Sequence, residues 1–320
     1  MKYCLVTGGA GFIGSNIVEG LLKEGRKVRI LDDLSTGLNE NIKPFEKEVD
    51  FIQGDIRDKD VVKRAMKDVE YVFHLAASRA VEKSVQYPDY THEINVTGTL
   101  NLLLAARDEK VKRFVFTSSS AIYGEITKFP VNEIEPDINP QSPYGLSKLI
   151  GEQYCRLFSE IYDLDTVSLR YFNVFGPRQN RESQYAVVVP VFIDCLLKKE
   201  SPEIHWDGKQ SRDFVYIGDV VKANLACMRN DDFNGEVYNI ASGQDISVLD
   251  LFNLIAKQMN VTDIKPNFAP KRPGDVRKTL ADIEKAKKDL GYQPNAKLDE
   301  DLIETINWFV EKFKSEGLEV

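Results

Sequence analysis

The chain has 320 residues, 42 of them Lys or Arg and 50 Asp or Glu, for a formal net charge of −8. At about 100 to 200 residues per domain this length suits one large or two ordinary domains, and 42% hydrophobic residues can fill a core, which excludes wholesale disorder. An acidic chain without a basic cluster also argues against nucleic acid or an anionic membrane as partner, because phosphate-rich surfaces are held by grouped Lys and Arg, and leaves small molecules as the expected ligands.

Residues 1–7 (MKYCLVT) reach the first glycines too soon for a signal peptide. No apolar run approaches the roughly 18 residues of a membrane span, so a soluble, cytoplasmic protein is expected. The first half then alternates apolar β-branched runs with helical patterns: YCLVT, a helix carrying Ile13, Ile17 and Leu21, KVRIL, FIQGD, a short helix, YVFHLAA, RFVFTSS and TVSLRYF. Such alternation predicts βαβ units in a Rossmann-type parallel sheet with helices on both faces, an α/β fold. Two helices are expected over 91–108 and 144–162. The first is apolar around most of its circumference and needs cover on two sides, from the sheet and from either a second subunit or the chain's own loops. A homodimer through these two helices is the expected assembly.

After Phe172 the rhythm breaks into NVFGPRQNRESQ, a polar loop, and helices follow over 186–199, 218–229, 247–259 and 298–315. The expected organisation is a cofactor-binding domain over 1–172 and a smaller mixed α/β substrate domain over 173–320. The run EVYNIAS (236–242) reads as a strand returning to the first sheet. Cys4, Cys155, Cys195 and Cys227 form no CxxC pair and have no His at ligand spacing, so neither a metal site nor a disulfide framework is expected.

Gly8, Gly11 and Gly14 stand in TGGAGFIG, after a predicted strand and opening a predicted helix. That context needs a tight turn, a backbone that can approach a pyrophosphate, and helix N-terminal amides aimed at it. Asp32 ends the next strand 18 residues after Gly14, placed to accept hydrogen bonds from an adenosine ribose. With Asp33 beside it and no Arg there, a 2′-phosphate would be repelled and NAD is favoured over NADP. Asp55 and Ile56 are placed to meet an adenine edge, with a helix N-cap as the alternative for Asp55. Leu75, Ala76 and Ala77 are placed along the cofactor, with simple core as their alternative.

Tyr144 and Lys148 in YGLSK lie four residues apart, hence on one helix face. A nearby cation favours phenolate, so Lys148 and an oxidised nicotinamide are expected to draw the phenol from its usual value near 10 towards neutrality, making it a general base. Ser119, 25 residues earlier at the end of RFVFTSS, is expected to bond the same substrate oxygen, although Ser118 and Ser120 adjoin it.

Together TGGAGFIG, Asp32, GDIRD, HLAA, SSSAIYG, YGLSK and RYFN resemble the extended short-chain dehydrogenase/reductase superfamily and, within it, the UDP-sugar 4-epimerases, over nearly the whole chain. The resemblance implies that Ser119, Tyr144 and Lys148 are catalytic. It places Gly8, Gly11, Phe12, Ile13, Gly14, Asp32, Asp33, Asp55, Ile56, Leu75, Ala76, Ala77, Asn95, Ser118, Tyr144, Lys148 and Tyr171 around NAD. Ser119 and Tyr144 would meet the sugar, while Asn173, Tyr185, Ala186, Val187, Val188, Arg212, Arg272 and Asp275 would hold UDP. The two arginines would neutralise the diphosphate, and Asp275 would bind the uridine ribose. In related epimerases the position four residues after the RxGD aspartate borders the sugar's C2 substituent; here it is Thr279, small enough to admit an N-acetyl group. Related 4,6-dehydratases carry an Asp-Glu pair where this chain has Ser120 and Ala121, and the decarboxylases usually a Glu at the place of Ala121, which weakens both readings. Arg79, in HLAASRAV, keeps a uronic acid substrate open, with an Arg that reaches an NAD phosphate or solvent as the alternative.

Overall fold

The computed structural model describes residues 2–134, 138–180, 188–229, 233–271, 275–295 and 297–317. Six apolar runs form strands β1 (Tyr3–Thr7), β2 (Lys27–Asp32), β3 (Val49–Gln53), β4 (Val69–His74), β5 (Arg113–Ser119) and β6 (Thr166–Tyr171). They pair in parallel, and a seventh strand, Glu236–Ile240, returns to the edge beside β6, with Glu236 opposite Val167 and Ile240 opposite Tyr171. The order is Glu236–Ile240, β6, β5, β4, β1, β2, β3. This is a Rossmann order, and it reverses between β1 and β4, so the chain leaves these two strands in opposite directions and opens a crevice at their carboxyl ends.

The sheet is covered on both faces, which is why its strands read as continuous rather than alternating apolar runs. Successive residues of β1 point to opposite sides: Cys4 and Val6 join Ile17, Val18 and Leu21 of helix α1 (Phe12–Lys23) and Val220 and Ala223 of helix Ile217–Arg229. Leu5 joins Val62, Leu102 and Leu103, with Cys155 and Phe158 of helix Pro143–Tyr162. A third core, built on Phe175, Phe192, Phe252, Leu302 and Phe309, underlies two small sheets of the second half. One of these sheets orders strand Ser211–Tyr216 between Asp245–Ser247 and Asn173–Phe175.

The region expected as one helix over 91–108 divides in three: α-helix Pro88–His92, a π-helical stretch Glu93–Gly98, and α-helix Thr99–Asp108. The wider π turn brings Gly98 against Ile56, where an added Cβ would sit 2.5 Å from Ile56 Cδ1. A π turn of this kind re-aims side chains at a defined place, here Asn95. The sheet covers Leu102 and Leu103 completely.

Candidate active site

Gly8 follows β1 directly and turns with φ +70°; a Cβ there would lie 2.8 Å from the amide nitrogen of Ala76. At Gly14, a Cβ would lie 2.1 Å from the Gly8 carbonyl oxygen. The loop therefore presses the start of α1 against the loop after β4, with Gly11 as N-cap and Phe12 and Ile13 as the first helical residues. Amides of a first helical turn have no intrahelical acceptor and face outward as an anion site. Asp32 closes the other side of the crevice, accepting from the amides of Ala10 (2.9 Å) and Leu34 (2.8 Å). Burial pushes its carboxyl up, while these two amides pull it down. Exposed Asp33 accepts from the amide and hydroxyl of Ser35.

Asp55 does not cap the following helix. Asp58 does so, accepting from the amides of Asp60 and Val61, whereas the guanidinium of Arg57 lies on Asp55 at 2.6 Å and holds its carboxyl below the usual range. Ile56 is buried under the π turn. Leu75, Ala76 and Ala77 are half-buried on the crevice side, and the Asn95 side chain bridges Ser78 to Ser147.

Strand alternation separates Ser118 from Ser119 at the end of β5, and Ser120 begins the turn that follows. The Ser119 hydroxyl accepts from the amide of Ala121 and stands beside the Tyr144 phenol, where it favours the ionised form. Ser118 points to the other side of the sheet and donates to Glu152, a member of a buried pair with Arg170 (2.8 Å) that continues to Tyr123 and Asn239. The ring of Tyr171 is likewise in the core, its hydroxyl accepting from Asn224 (2.7 Å). Only the backbones of Ser118 and Tyr171 are left to face a ligand.

Helix Pro143–Tyr162 begins at Ser142, whose hydroxyl accepts from the Gly145 amide, with Pro143 in the first turn. It thereby sets Tyr144 beside Ser119. Lys148, one turn on, donates to the Thr117 carbonyl (2.8 Å), and burial lowers its pKa to about 8. Burial raises the Tyr144 phenol above its ordinary value, against the opposing pull of the Ser119 hydrogen bond and of the Arg79 charge. The Lys148 ammonium thus gives one N–H to a carbonyl, and the charge of Arg79 favours the phenolate.

In the second half, Asn173 donates to the Asp213 carbonyl (3.1 Å) and to the Thr279 hydroxyl (3.3 Å). Arg212 is held by the Ser211 carbonyl, and burial lowers its pKa, opposed by the charge of Asp275. Asn173, Arg212, Asp275 and Thr279 are therefore one neighbourhood. Val188 opens helix Val188–Leu197. Tyr185, Ala186, Val187 and Arg272 lie outside the described residues.

Residues 4–241 match the family described as NAD dependent epimerase/dehydratase. The chain belongs to that family. A putative UDP-glucose 4-epimerase of Methanocaldococcus jannaschii is 44% identical over 95% of this chain and 97% of its own length. Among solved structures, the UDP-N-acetylglucosamine 4-epimerase of Methanobrevibacter ruminantium M1 in complex with UDP-N-acetylmuramic acid is similar at a TM-score of 0.92. It shares 41% identity and is matched over 97% of this chain and 99% of that one. The UDP-glucose 4-epimerase of Thermotoga maritima with UDP-glucose has the same TM-score, at 40% identity over 97% and 99%. As in the family, NAD is the cofactor, and the close-packed cradle of Gly8, Gly14 and the α1 N-terminus fits a pyrophosphate.

Two features of this family member escape sequence reasoning. The carboxylate of Asp213, fully buried, accepts from the amides of Ser242, Gly243 and Ala281 and from the Ser242 hydroxyl, joining three segments around Arg212 and Thr279. Burial raises it to about 6. His74, at the end of β4, and its threonine partners form the second.

Proposed function

We propose that the chain is a UDP-hexose 4-epimerase, an isomerase interconverting UDP-glucose with UDP-galactose and UDP-N-acetylglucosamine with UDP-N-acetylgalactosamine. The observation that carries this reading is the Ser119–Tyr144 pair at the end of β5, with Ser120 and Ala121 as its neighbours. One tyrosine can remove and return one proton, which is all that epimerisation asks; elimination of water would ask for a further acid and base. The names of the similar proteins support the same reading.

Bound NAD supplies reversible hydride storage, so that C4 of the sugar passes through a ketone. Tyr144 takes the proton of the 4-hydroxyl and later returns it, and Ser119 holds the same oxygen in line. Arg212 and Arg272 neutralise the diphosphate, Asp275 holds the ribose, and Asn173 and Tyr185–Val188 complete the nucleotide grip. With UDP fixed and the sugar loosely held, the ketone rotates and presents its other face. Thr279 leaves space at C2 for an N-acetyl group. Arg79, whose charge reaches Tyr144, favours a second reading in which a uronic acid is the substrate.

The half-exposed Leu146, Leu157 and Ile161 of helix Pro143–Tyr162 support a homodimer through this helix and its neighbour Thr99–Asp108. The four free cysteines support a reducing, cytoplasmic location.

The test is to incubate the protein as purified, without added NAD, with UDP-glucose, UDP-galactose, both N-acetyl sugars and UDP-glucuronate, and to separate the products. C4 epimers of plain and N-acetyl sugars are expected, with no net absorbance change at about 340 nm, since the hydride returns to the sugar. Tyr144→Phe should lower kcat about 100-fold or more with little change in KM. Turnover within a factor of three of wild type removes Tyr144 from this role, and conversion of UDP-glucuronate alone selects the second reading.

A further inference from the structure

His74 ends β4 at 1% exposure, between the rings of Phe114 and Phe116, and the chemistry above leaves it without a task. Both of its ring nitrogens are engaged. The Thr99 hydroxyl has one proton, donated to the Asn95 carbonyl (2.6 Å), so its bond to His74 Nε2 (2.8 Å) requires the ring to donate. The ring proton therefore sits on Nε2. Nδ1 is then the acceptor for the Thr7 hydroxyl (2.7 Å), and Thr7 Oγ1 accepts in turn from the amides of Leu75 and Ala76 (both 3.2 Å).

The chain of bonds continues on the other side. Asn95 Oδ1 accepts from the Ser78 amide (2.7 Å), and its Nδ2 donates to the Ser78 carbonyl (3.0 Å) and to the Ser147 hydroxyl (2.9 Å). Ser147 donates to the Tyr144 carbonyl (2.7 Å). With the ring neutral, each hydroxyl proton of Thr7, Thr99 and Ser147 has one acceptor, which gives the series one arrangement. A protonated ring would donate at both nitrogens and force the Thr7 hydroxyl to turn away.

We propose that His74 is a positioning residue for the proton-transfer site: as the Nε2–H tautomer it fixes the loop Leu75–Ser78 and the first turn of helix Pro143–Tyr162 in one register. This rests on the reading of Tyr144 as the proton-transferring group. Its consequence is that hydroxyls with no contact to the sugar control the rate of its reaction rather than its binding, because the nucleotide grip lies with Asn173 and Arg212.

Thr99→Val removes the linking hydroxyl at nearly constant shape, and His74→Phe removes both ring bonds. In the NAD-loaded protein each should lower kcat at least tenfold, with KM for the UDP-sugar within twofold of wild type. Amide hydrogen exchange of peptides spanning Leu75–Ser78 and Pro143–Lys148 should quicken at least tenfold. Values of kcat and local exchange within twofold of wild type in Thr99→Val overturn the proposal. Faster exchange spread evenly over the sheet, or a KM that rises in step with the loss of kcat, also overturns it, since either marks general loosening. If His74→Phe does not fold, Thr99→Val decides alone. A wild-type protein that converts no UDP-sugar defeats the catalytic reading instead, and the exchange comparison still decides the positioning one.

Discussion

His74 also makes the stability of the fold sensitive to acid. Burial, helped by the charge of Lys148, lowers its pKa from 6.5 to about 3, so the folded ring stays neutral over a range in which the unfolded ring is protonated. A histidine with a depressed folded pKa contributes stability that is intact above 6.5 and is lost as pH falls below it, at about 1.4 kcal/mol per unit. Between pH 6.5 and 5 the unfolding free energy of wild type, measured in urea, should drop about 2 kcal/mol further than that of His74→Phe. Parallel curves for the two proteins would mean that the ring ionises within the fold. This residue illustrates what a sequence withholds. Thr7, His74 and Thr99 are separated by 67 and 25 positions, and only the parallel pairing of β1 with β4 and the π turn bring them together. The same holds for the serines of β5. Their identity is plain in SSSAIYG, but which hydroxyl meets Tyr144 depends on strand register, and alternation turns Ser118 towards Glu152.

At the scale of elements, the glycine loop was readable because its requirement is local. Gly8 needs a positive φ and a missing Cβ, and both follow from a strand-to-helix turn of minimal length. The return of Glu236–Ile240 was readable from its apolar run, while the π turn inside the helix expected over 91–108 was not, because it depends on the fit of Gly98 to Ile56. Local necessity makes a sharp prediction for Gly14. Its added Cβ would meet backbone, the Gly8 carbonyl at 2.1 Å, so Gly14→Ala must pull α1 away from the loop, costing about 1 to 3 kcal/mol. The purified variant should carry less than a tenth of the NAD of wild type, read from the ratio of absorbance at about 260 and 280 nm, as expected if the α1 N-terminus binds the pyrophosphate. Gly25→Ala is the control: it also has a positive φ, +71°, but open space around its Cβ, so it should cost about 1 kcal/mol and keep its cofactor. Full NAD occupancy in Gly14→Ala would mean that the α1 N-terminus does not hold the dinucleotide.

For the whole molecule, the unanswered question in the sequence was what covers the outer side of the two apolar helices. The sheet covers Leu102, Leu103, Cys155 and Phe158, and leaves Leu146 49%, Leu157 38% and Ile161 64% exposed along helix Pro143–Tyr162. Spacings of 11 and 4 residues put these three on one stripe, which a second copy related by a two-fold axis can cover with its own. Burying three such side chains supplies a few kcal/mol per protomer, at about 25 cal/mol per Å² of apolar surface. Replacing Leu157 and Ile161 together with Glu places two carboxylates from each chain on that axis, where burial without partners is prohibitive. Light scattering at about 10 µM, a concentration at which an interface of ordinary size is saturated, should therefore give twice the chain mass for wild type and the chain mass for the double variant. Leu157 lies 13 residues from Tyr144, about 20 Å along the helix, so kcat per chain should change less than threefold. A wild-type protein that is monomeric, or a double variant that still dimerises, would place the second cover elsewhere. A large loss of kcat in the monomeric variant would instead make the partner helix a support for the tyrosine, coupling assembly to catalysis.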